Sequence, residues 1–180
     1  MENKKKLYIT LFLIISALVI YIYQNKSDDL LQLYLMIKSD DKEGLKDFLK
    51  QKSGQLSEVI NLPIDHYSSE VRTGENALFY AIKLTSFEIV EILLQHGADV
   101  NYQNDSGDTA LHLAIYYKNG GIVGISKKQK KDLSKIISLL IKDHNIDLTK
   151  KNNQNENASI YAKRKKDLKI LNEIRLRCQK

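Results

Sequence analysis

Four histidines and one cysteine are the side chains of this sequence best suited to nucleophilic, acid–base or metal chemistry. They are His66, His96, His112, His144 and Cys178. A protein zinc site needs three or four His, Cys or carboxylate ligands at characteristic spacings, and a cysteine nucleophile needs a nearby base. The cysteine has no histidine beside it in sequence, and a single cysteine excludes an intrachain disulfide.

Two familiar catalytic signatures are also missing from the sequence. It contains neither a glycine-rich phosphate-binding loop nor a Gly-x-Ser-x-Gly nucleophile motif. We therefore predict that the protein is not an enzyme, binds no metal and uses no cofactor. His96, His112 and His144 are expected to have structural roles instead.

The elements that position these side chains are internal repeats. GENALFYAI from Gly74 recurs as GDTALHLAI from Gly107, and a degenerate copy, NENASIYAK, begins at Asn155. The leucine and the second alanine of the first two copies lie on one face of a short helix. The segment 88–101, EIVEILLQHGADVN, predicts a second, amphipathic helix that ends at Gly97.

This pattern resembles the ankyrin repeat, which has a period of about 33 residues and the motif Thr-Pro-Leu-His-x-Ala. TALHLA at 109–114 is a near match, NALFYA at 76–81 is a looser one, and HGADVN at 96–101 fits the end of the repeat. The resemblance implies an all-α solenoid of about four helix pairs, in which stacked neighbours share one core. It also puts His112 in the repeat's own histidine position. The expected repeat domain is 24–180, with units at about 27–60, 72–104, 105–152 and 153–178, the outer two acting as caps.

The third unit is longer than the second, and the excess falls mainly at 120–133, GGIVGISKKQKKDL. We expect this insertion to form a loop or a helix extension between the two helices of the unit. Long loops in compact domains often carry function, although sequence drift is an equal alternative.

The N-terminal segment predicts a different environment. Residues 7–23 are 17 uncharged positions, 11 of them Leu, Ile, Val or Phe, and they follow the basic segment 1–6. A helix of this length spans about 25 Å, the short end of a bilayer crossing. We predict a retained transmembrane anchor, because no small-x-small cleavage pattern follows it; a cleaved signal peptide and a buried core helix are the alternatives. The lysines would stay in the cytoplasm, which places the repeats in the periplasm at the bacterial inner membrane.

The charge of the chain is divided between its two halves. Residues 24–117 carry 8 Lys and Arg against 15 Asp and Glu, whereas residues 118–180 carry 17 against 6. A basic half suits an acidic protein, nucleic acid or an anionic membrane, or is simply a solvated face. No zinc-ligand spacing, helix-turn-helix signature or RNA-reading aromatic pattern is present, so nucleic acid is not expected.

Ankyrin stacks resemble a cupped hand that holds a protein partner with its hairpin tips and the exposed side of its first helices. Carried onto this sequence, the partner-binding positions are Glu75, Lys83, Leu84, Asp105, Ser106, Asp108, Tyr116, Tyr117, Glu156, Arg164 and Lys165. The two adjacent tyrosines stand out, because tyrosine gives a large contact area at low entropy cost. The alternative is that one of them packs under the inserted loop.

The expected function is non-catalytic binding of a partner protein outside the cytoplasmic membrane. This architecture is similar to bacterial ankyrin immunity proteins, which neutralise toxins such as type VI lipase effectors by blocking the active site. Two alternatives remain open. One is an envelope scaffold or adaptor, and the other is a membrane-surface sensor whose segment 127–131, KKQKK, contacts anionic lipid.

Overall fold

Short capped helices begin the second, third and fourth repeats. The Asn76 side chain accepts a hydrogen bond from the amide of Phe79 at 3.3 Å, and Asn157 accepts one from Ile160 at 3.0 Å. In the third repeat, Thr109 forms a reciprocal capping box with the histidine that follows it in the first turn of the helix. Each cap satisfies an amide that a helix start otherwise leaves without a partner.

The computed structural model describes residues 2–52, 59–64, 73–121 and 124–179, with backbone alone at 2–10 and 23. Its helices are α1 (Glu2–Lys38), α2 (Lys42–Gln51), α3 (Ala77–Lys83), α4 (Phe87–Gln95), α5 (Ala110–Tyr116), α6 (Lys127–Lys142), α7 (Ala158–Arg164) and α8 (Leu168–Cys178). The sequence has a second expansion, residues 53–74 between the first two repeats. It falls largely outside the described residues, and so does His66.

The helices pack as two rows. The first helices of the repeats, α1, α3, α5 and α7, contact one another in that order, and the second helices, α2, α4, α6 and α8, form the other row. One continuous apolar core runs between the rows and includes Leu33, Leu78, Leu111 and Ile137. The predicted all-α stack of helix pairs is therefore confirmed.

A left-handed residue separates the two helices of three repeats. Asp40, Thr85 and Lys166 have φ of 56°, 58° and 58°. The first two of these turns are in contact, because the Ser86 hydroxyl donates a hydrogen bond to the Asp40 carboxylate at 2.8 Å. The turns therefore mark one edge of the stack, which is referred to below as the turn edge.

Short hairpins form the opposite edge. The bridges Gln103–Thr109 and Lys151–Asn157 close two of them, and the amide of Asn153 donates to the carbonyl of Ser106 in the neighbouring hairpin at 3.0 Å. Gly107 has a φ of +71°, and a Cβ there would lie 2.7 Å from the Asn153 carboxamide oxygen. A glycine is required at this point, because neighbouring hairpins approach too closely for a side chain.

The third repeat has inserted structure at its turn, where the left-handed residue is Gly120, with a φ of 100°. Helix α5 is followed by the kinked turn Tyr117–Gly121, in which Asn119 and Gly120 leave the helical conformation; this segment is called the π turn below. Helix α6 starts at Lys127 with a capping box between Ser126 and Gln129. Helix α6 has 16 residues and α4 has nine, so about half of the predicted insertion 120–133 is an extension of the second helix. Residues 122 and 123 lie outside the described residues.

Helix α1 joins the apolar N-terminal segment to the first repeat without a break. It contains 37 residues; large apolar side chains between Leu11 and Ile22 are exposed, and those of Leu30, Leu33 and Ile37 are buried in the stack. In the part of the chain that the structure describes, no helix is both long enough and apolar enough to cross a membrane. The transmembrane helix predicted over 7–23 is not supported, and the segment is instead part of a longer helix that enters the first repeat.

Candidate partner-binding surface

Two repeats contain an ion pair that spans the first helix. Arg164 makes two parallel hydrogen bonds to the Glu156 carboxylate, with Nε to Oε1 at 2.7 Å and Nη2 to Oε2 at 2.9 Å. These bonds are the main cause of the raised pKa of Arg164. In the second repeat, Lys83 pairs with Glu75 at the corresponding positions. Each pair connects the hairpin to the last turn of the first helix.

The third repeat has no such pair at the equivalent positions, which are Asp108 and Tyr116. Asp108 instead accepts a hydrogen bond from the Asn152 side chain at 2.8 Å. Tyr116 is 40% exposed. A tyrosine therefore stands at the surface where the neighbouring repeats place an ion-paired cation.

Cations of the fourth repeat pack against tyrosine rings. The ammonium of Lys165 lies 5.2 Å from the Tyr116 ring centroid and 5.6 Å from that of Tyr161. The Arg164 guanidinium lies 4.7 Å from the Tyr161 ring. At these distances each cation is attracted to the ring face, and burial raises the pKa of the Tyr161 hydroxyl. The structure thus brings together predicted site residues of the third and fourth repeats with one further tyrosine, here called the tyrosine–cation cluster: Tyr116, Tyr161, Arg164 and Lys165.

The sequence-based prediction does not include Tyr161. The available signal was its position in the repeat, which Tyr80 occupies in the second repeat. Tyr80 also contacts another tyrosine, with its ring centroid 5.0 Å from that of Tyr34.

The inserted π turn supports the Tyr116 ring from below. A Cβ on Gly121 would lie 2.4 Å from two ring carbons of Tyr116, so the ring rests directly on the glycine backbone. The neighbouring Tyr117 ring lies 5.5 Å away and packs against the core. Of the two adjacent tyrosines, one therefore faces outward and the other inward.

A clamp fixes the π turn to the fourth repeat. The Lys118 ammonium pairs with the Asp167 carboxylate, to which the Asn119 side chain also donates a hydrogen bond at 3.2 Å. Asp167 in turn accepts from the amide of Ile170 at the start of α8. Burial acts to raise the pKa of Asp167, but these hydrogen bonds outweigh it and lower the pKa. No local sequence pattern indicates this clamp.

The remaining predicted site residues lie in separate places. Leu84 is exposed beside the half-buried Lys83 at the end of α3, whereas Asp105 and Ser106 are exposed at a hairpin tip. Glu75 is buried. The predicted set therefore forms two strips, one along the hairpins and one along the last turns of the first helices. Glu75 and Glu156 lie beneath the side chains of Lys83 and Arg164, with which they pair.

His112 connects the third repeat to the fourth. Its Nε2 lies 3.0 Å from the Glu156 carbonyl oxygen, and its Nδ1 contacts the Thr109 hydroxyl at 2.8 Å. Burial lowers the pKa of the imidazole. Its ring also meets the Tyr161 ring edge-on, with centroids 5.6 Å apart. These contacts give His112 a structural role, and His96 likewise contacts the backbone carbonyl of Ile92 at 2.8 Å.

Comparison with protein families identifies the repeat. A family model of three ankyrin repeats matches residues 20–125, and a model of one ankyrin repeat matches residues 106–153. The chain belongs to the ankyrin-repeat family. A putative ankyrin repeat protein of Rickettsia bellii is 29% identical over 92 residues, which is 49% of each chain. The human cation channel TRPV5 is 44% identical over 46 residues, 26% of this chain and 6% of the channel.

Solved structures show the same fold. The ankyrin domain of Bcl-3 aligns with a TM-score of 0.57 at 23% identity, covering 79% of this chain and 50% of that one. A chain from the complex of yeast ribosomal protein Rps3 with its chaperone Yar1 aligns with a TM-score of 0.55 at 20% identity, covering 82% and 90%. The predicted ankyrin solenoid is thus confirmed, and ankyrin repeats are a scaffold for protein–protein interaction.

Proposed function

We propose that this protein recognises a partner protein, without catalysis, through its hairpin tips and the last turns of its first helices. The observation that carries the proposal is the exposed Tyr116 ring, seated on Gly121 and contacted by Lys165. A large aromatic side chain held in one place loses little entropy on binding, which is the property of interaction hot spots.

Charge along this surface suits a partner of mixed charge. The hairpin strip ends in the exposed Asp105, whereas Arg164 and Lys165 lie at the other end of their helix. Complementary charges of this kind contribute mainly to specificity and association rate. The tyrosine would supply most of the binding energy, and the charges would set the orientation of the partner.

We further propose that helix α1 holds the repeats at the outer face of the inner membrane. The support is the run of exposed apolar side chains between Leu11 and Ile22, which in water would be an aggregation liability. Such a tether would let the binding surface occlude a toxin that attacks the envelope, the role of an immunity protein. An envelope scaffold is the alternative for the same surface.

The direction of α1 argues against the membrane-sensor alternative. Helix α1 reaches the turn edge at its C-terminal end, so its apolar segment projects from the hairpin edge. The first turns of α6 lie at the turn edge, because Lys128 and Asp132 line the same groove as Lys42 and Ser86. A membrane that held residues 11–22 would therefore meet the hairpin edge, away from the basic segment 127–131.

Partner isolation tests the binding proposal. Full-length protein carrying Tyr116→Ala or Lys165→Ala would be purified from membranes of the native host beside the wild type and Gln95→Ala, an exposed position on α4. We expect the partner's recovery to fall at least tenfold for the first two variants and to be unchanged for the third. Equal recovery with all four proteins would refute the proposed surface.

A topology reporter tests the membrane proposal separately. A reporter enzyme that is active only outside the cytoplasm is fused after Lys180, and its activity is measured in cells with an intact inner membrane. Activity would support a periplasmic repeat domain. A membrane-bound but silent fusion would contradict it and favour an adaptor on the inner face.

A further inference from the structure

A basic groove follows α6 along the row of second helices, remote from the tyrosine–cation cluster. Its lining residues are Phe87, Lys131, Ser134, Lys135, Ser138, Leu139, Lys142 and Lys169. Four of these eight side chains are lysines and none is a carboxylate. We propose that this groove binds an acidic segment of a partner protein, independently of the surface described above.

The lysines of the groove are largely without internal counter-ions. Lys135 lies 3.3 Å from the Asp132 carboxylate and 5.5 Å from the Phe87 ring centroid. Within the described ranges, Lys131, Lys142 and Lys169 form no ion pair with any carboxylate. An anionic ligand would therefore find these charges available rather than already neutralised.

The spacing of the lysines favours an extended anion over a single phosphate. Lys131 and Lys142 lie toward opposite ends of one helix, about 16 Å apart along its axis. The serine hydroxyls between them donate elsewhere: Ser134 to the Lys130 carbonyl and Ser138 to the Glu173 carboxylate, both at 2.9 Å. The groove therefore offers a row of separate cations and no convergent cradle.

The apolar part of the groove favours a protein over a nucleic acid. Phe87 and Leu139 are half-buried side chains packed against the core, and both line the groove between the lysines. An acidic peptide can place apolar side chains on them while its carboxylates meet the ammonium groups. A sugar–phosphate backbone has no apolar group for that position, and a base could stack on the Phe87 ring but not on the aliphatic Leu139.

The insertion of the third repeat lengthens this groove. Helix α4 has nine residues, and the additional turns of α6 begin at Lys127. Lys131 belongs to these additional turns. The inserted residues thereby add one end of the lysine row, which gives the helical half of the insertion a role distinct from that of the π turn.

Fluorescence anisotropy with a defined probe tests the groove. The probe is a fluorescein-labelled peptide of alternating Glu and Leu pairs, and its counterpart carries Gln in place of Glu. We expect full-length protein to bind the acidic peptide saturably and the Gln peptide at least tenfold more weakly. The double variant Lys131→Gln/Lys142→Gln should weaken acidic-peptide binding at least tenfold.

A control variant on the same helix makes the test decisive. Lys127→Gln/Lys130→Gln removes the same charge from α6 at positions that do not line the groove, and it should change binding less than twofold. Equal losses for the two double variants would overturn the proposal in favour of diffuse charge. Stronger competition by single-stranded DNA or phosphatidylglycerol vesicles than by unlabelled acidic peptide would also overturn it. Tyr116→Ala should leave peptide binding intact, so failure of the groove and failure of the tyrosine surface are distinguishable.

Discussion

The second and third repeats have the same core and different surfaces. Leu78 and Leu111 are both fully buried at equivalent positions, and each first helix has a side-chain cap. The second repeat then turns at the left-handed Thr85, one residue after its C-cap, whereas the third turns at the left-handed Gly120 within the longer π turn Tyr117–Gly121. Stacking fixes the residues at the core positions, so the two repeats differ at the turn that follows the first helix.

The same comparison explains why we place the proposed recognition surface at the third repeat. In the second repeat the last turn of the first helix is held by an internal ion pair, Lys83 with Glu75. In the third repeat the π turn supports an exposed ring, Tyr116, at the equivalent place. A repeat that departs from the template outside its core can therefore expose an aromatic ring while its core positions stay buried.

Truncation of the shared core should have the largest effect, and it should be similar in the two repeats. Leu78→Ala and Leu111→Ala each leave a cavity in a fully packed site, so we expect each to lower the free energy of unfolding by about 2–5 kcal/mol. Urea unfolding monitored by circular dichroism measures both. A loss near zero for Leu111 alone would show that the insertion had loosened the third core.

Crowding of the π turn should have a smaller effect that is specific to the third repeat. Gly121→Ala forces a methyl group against the Tyr116 ring, and we expect a loss of about 1–3 kcal/mol. Gly124→Ala is the converse variant, because it strains a backbone with a φ of +79° and crowds no atom near its Cβ position, whereas Gly121 has no positive φ. Adding Tyr116→Ala to Gly121→Ala should restore most of the loss; an unchanged loss in the double variant would argue against the packing account.

His112 of the third repeat should make the stability of the protein depend on pH. We expect this effect to be smaller than those of the core and glycine substitutions. The folded-state pKa of His112 is lowered by burial, so the unfolded chain takes up the proton first as pH falls below its usual value of about 6.5. The contribution of His112 is therefore present above that pH and is lost as pH falls through the folded-state pKa. Phe79 occupies the same slot in the second repeat and does not titrate.

Urea unfolding at pH 7 and pH 5 checks this expectation. His112→Phe should cost about 1 kcal/mol at pH 7, from its lost hydrogen bonds, and should lose less stability than the wild type on going to pH 5. Glu156 and Asp108 face the imidazole position in both proteins, so their own titration is common to the two. If the wild type and His112→Phe lose the same stability between pH 7 and pH 5, His112 is not the cause of the pH dependence.

The fold could be predicted because repetition imposes one pattern on distant segments. The segments at Gly74 and Gly107 share their apolar positions, and those positions became the core. The continuity of α1 was also readable, because residues 24–38 contain no glycine or proline that would end a helix. The change from apolar to charged residues near residue 23 suggests the end of a helix, but α1 continues through it to Lys38.

The site could be predicted only in part, because its contacts join residues far apart in sequence. Tyr116 was chosen for its chemistry, but its support by Gly121 depends on a π turn that no local pattern indicates. The Lys118–Asp167 pair spans 49 positions, and its partners belong to different repeats. Such contacts follow from the stacking geometry and not from either segment alone.

Site-specific photocrosslinking in the native host tests the central claim most directly. A photoreactive phenylalanine analogue replaces Tyr116 or Leu84 on the proposed surface, or Gln95 on the second-helix row as the control. The account predicts one covalent adduct of the same mass from the first two positions and none from the third. Adducts from Gln95 alone, or from no position in cells that contain the bound complex, would contradict a partner held at the tyrosine–cation cluster.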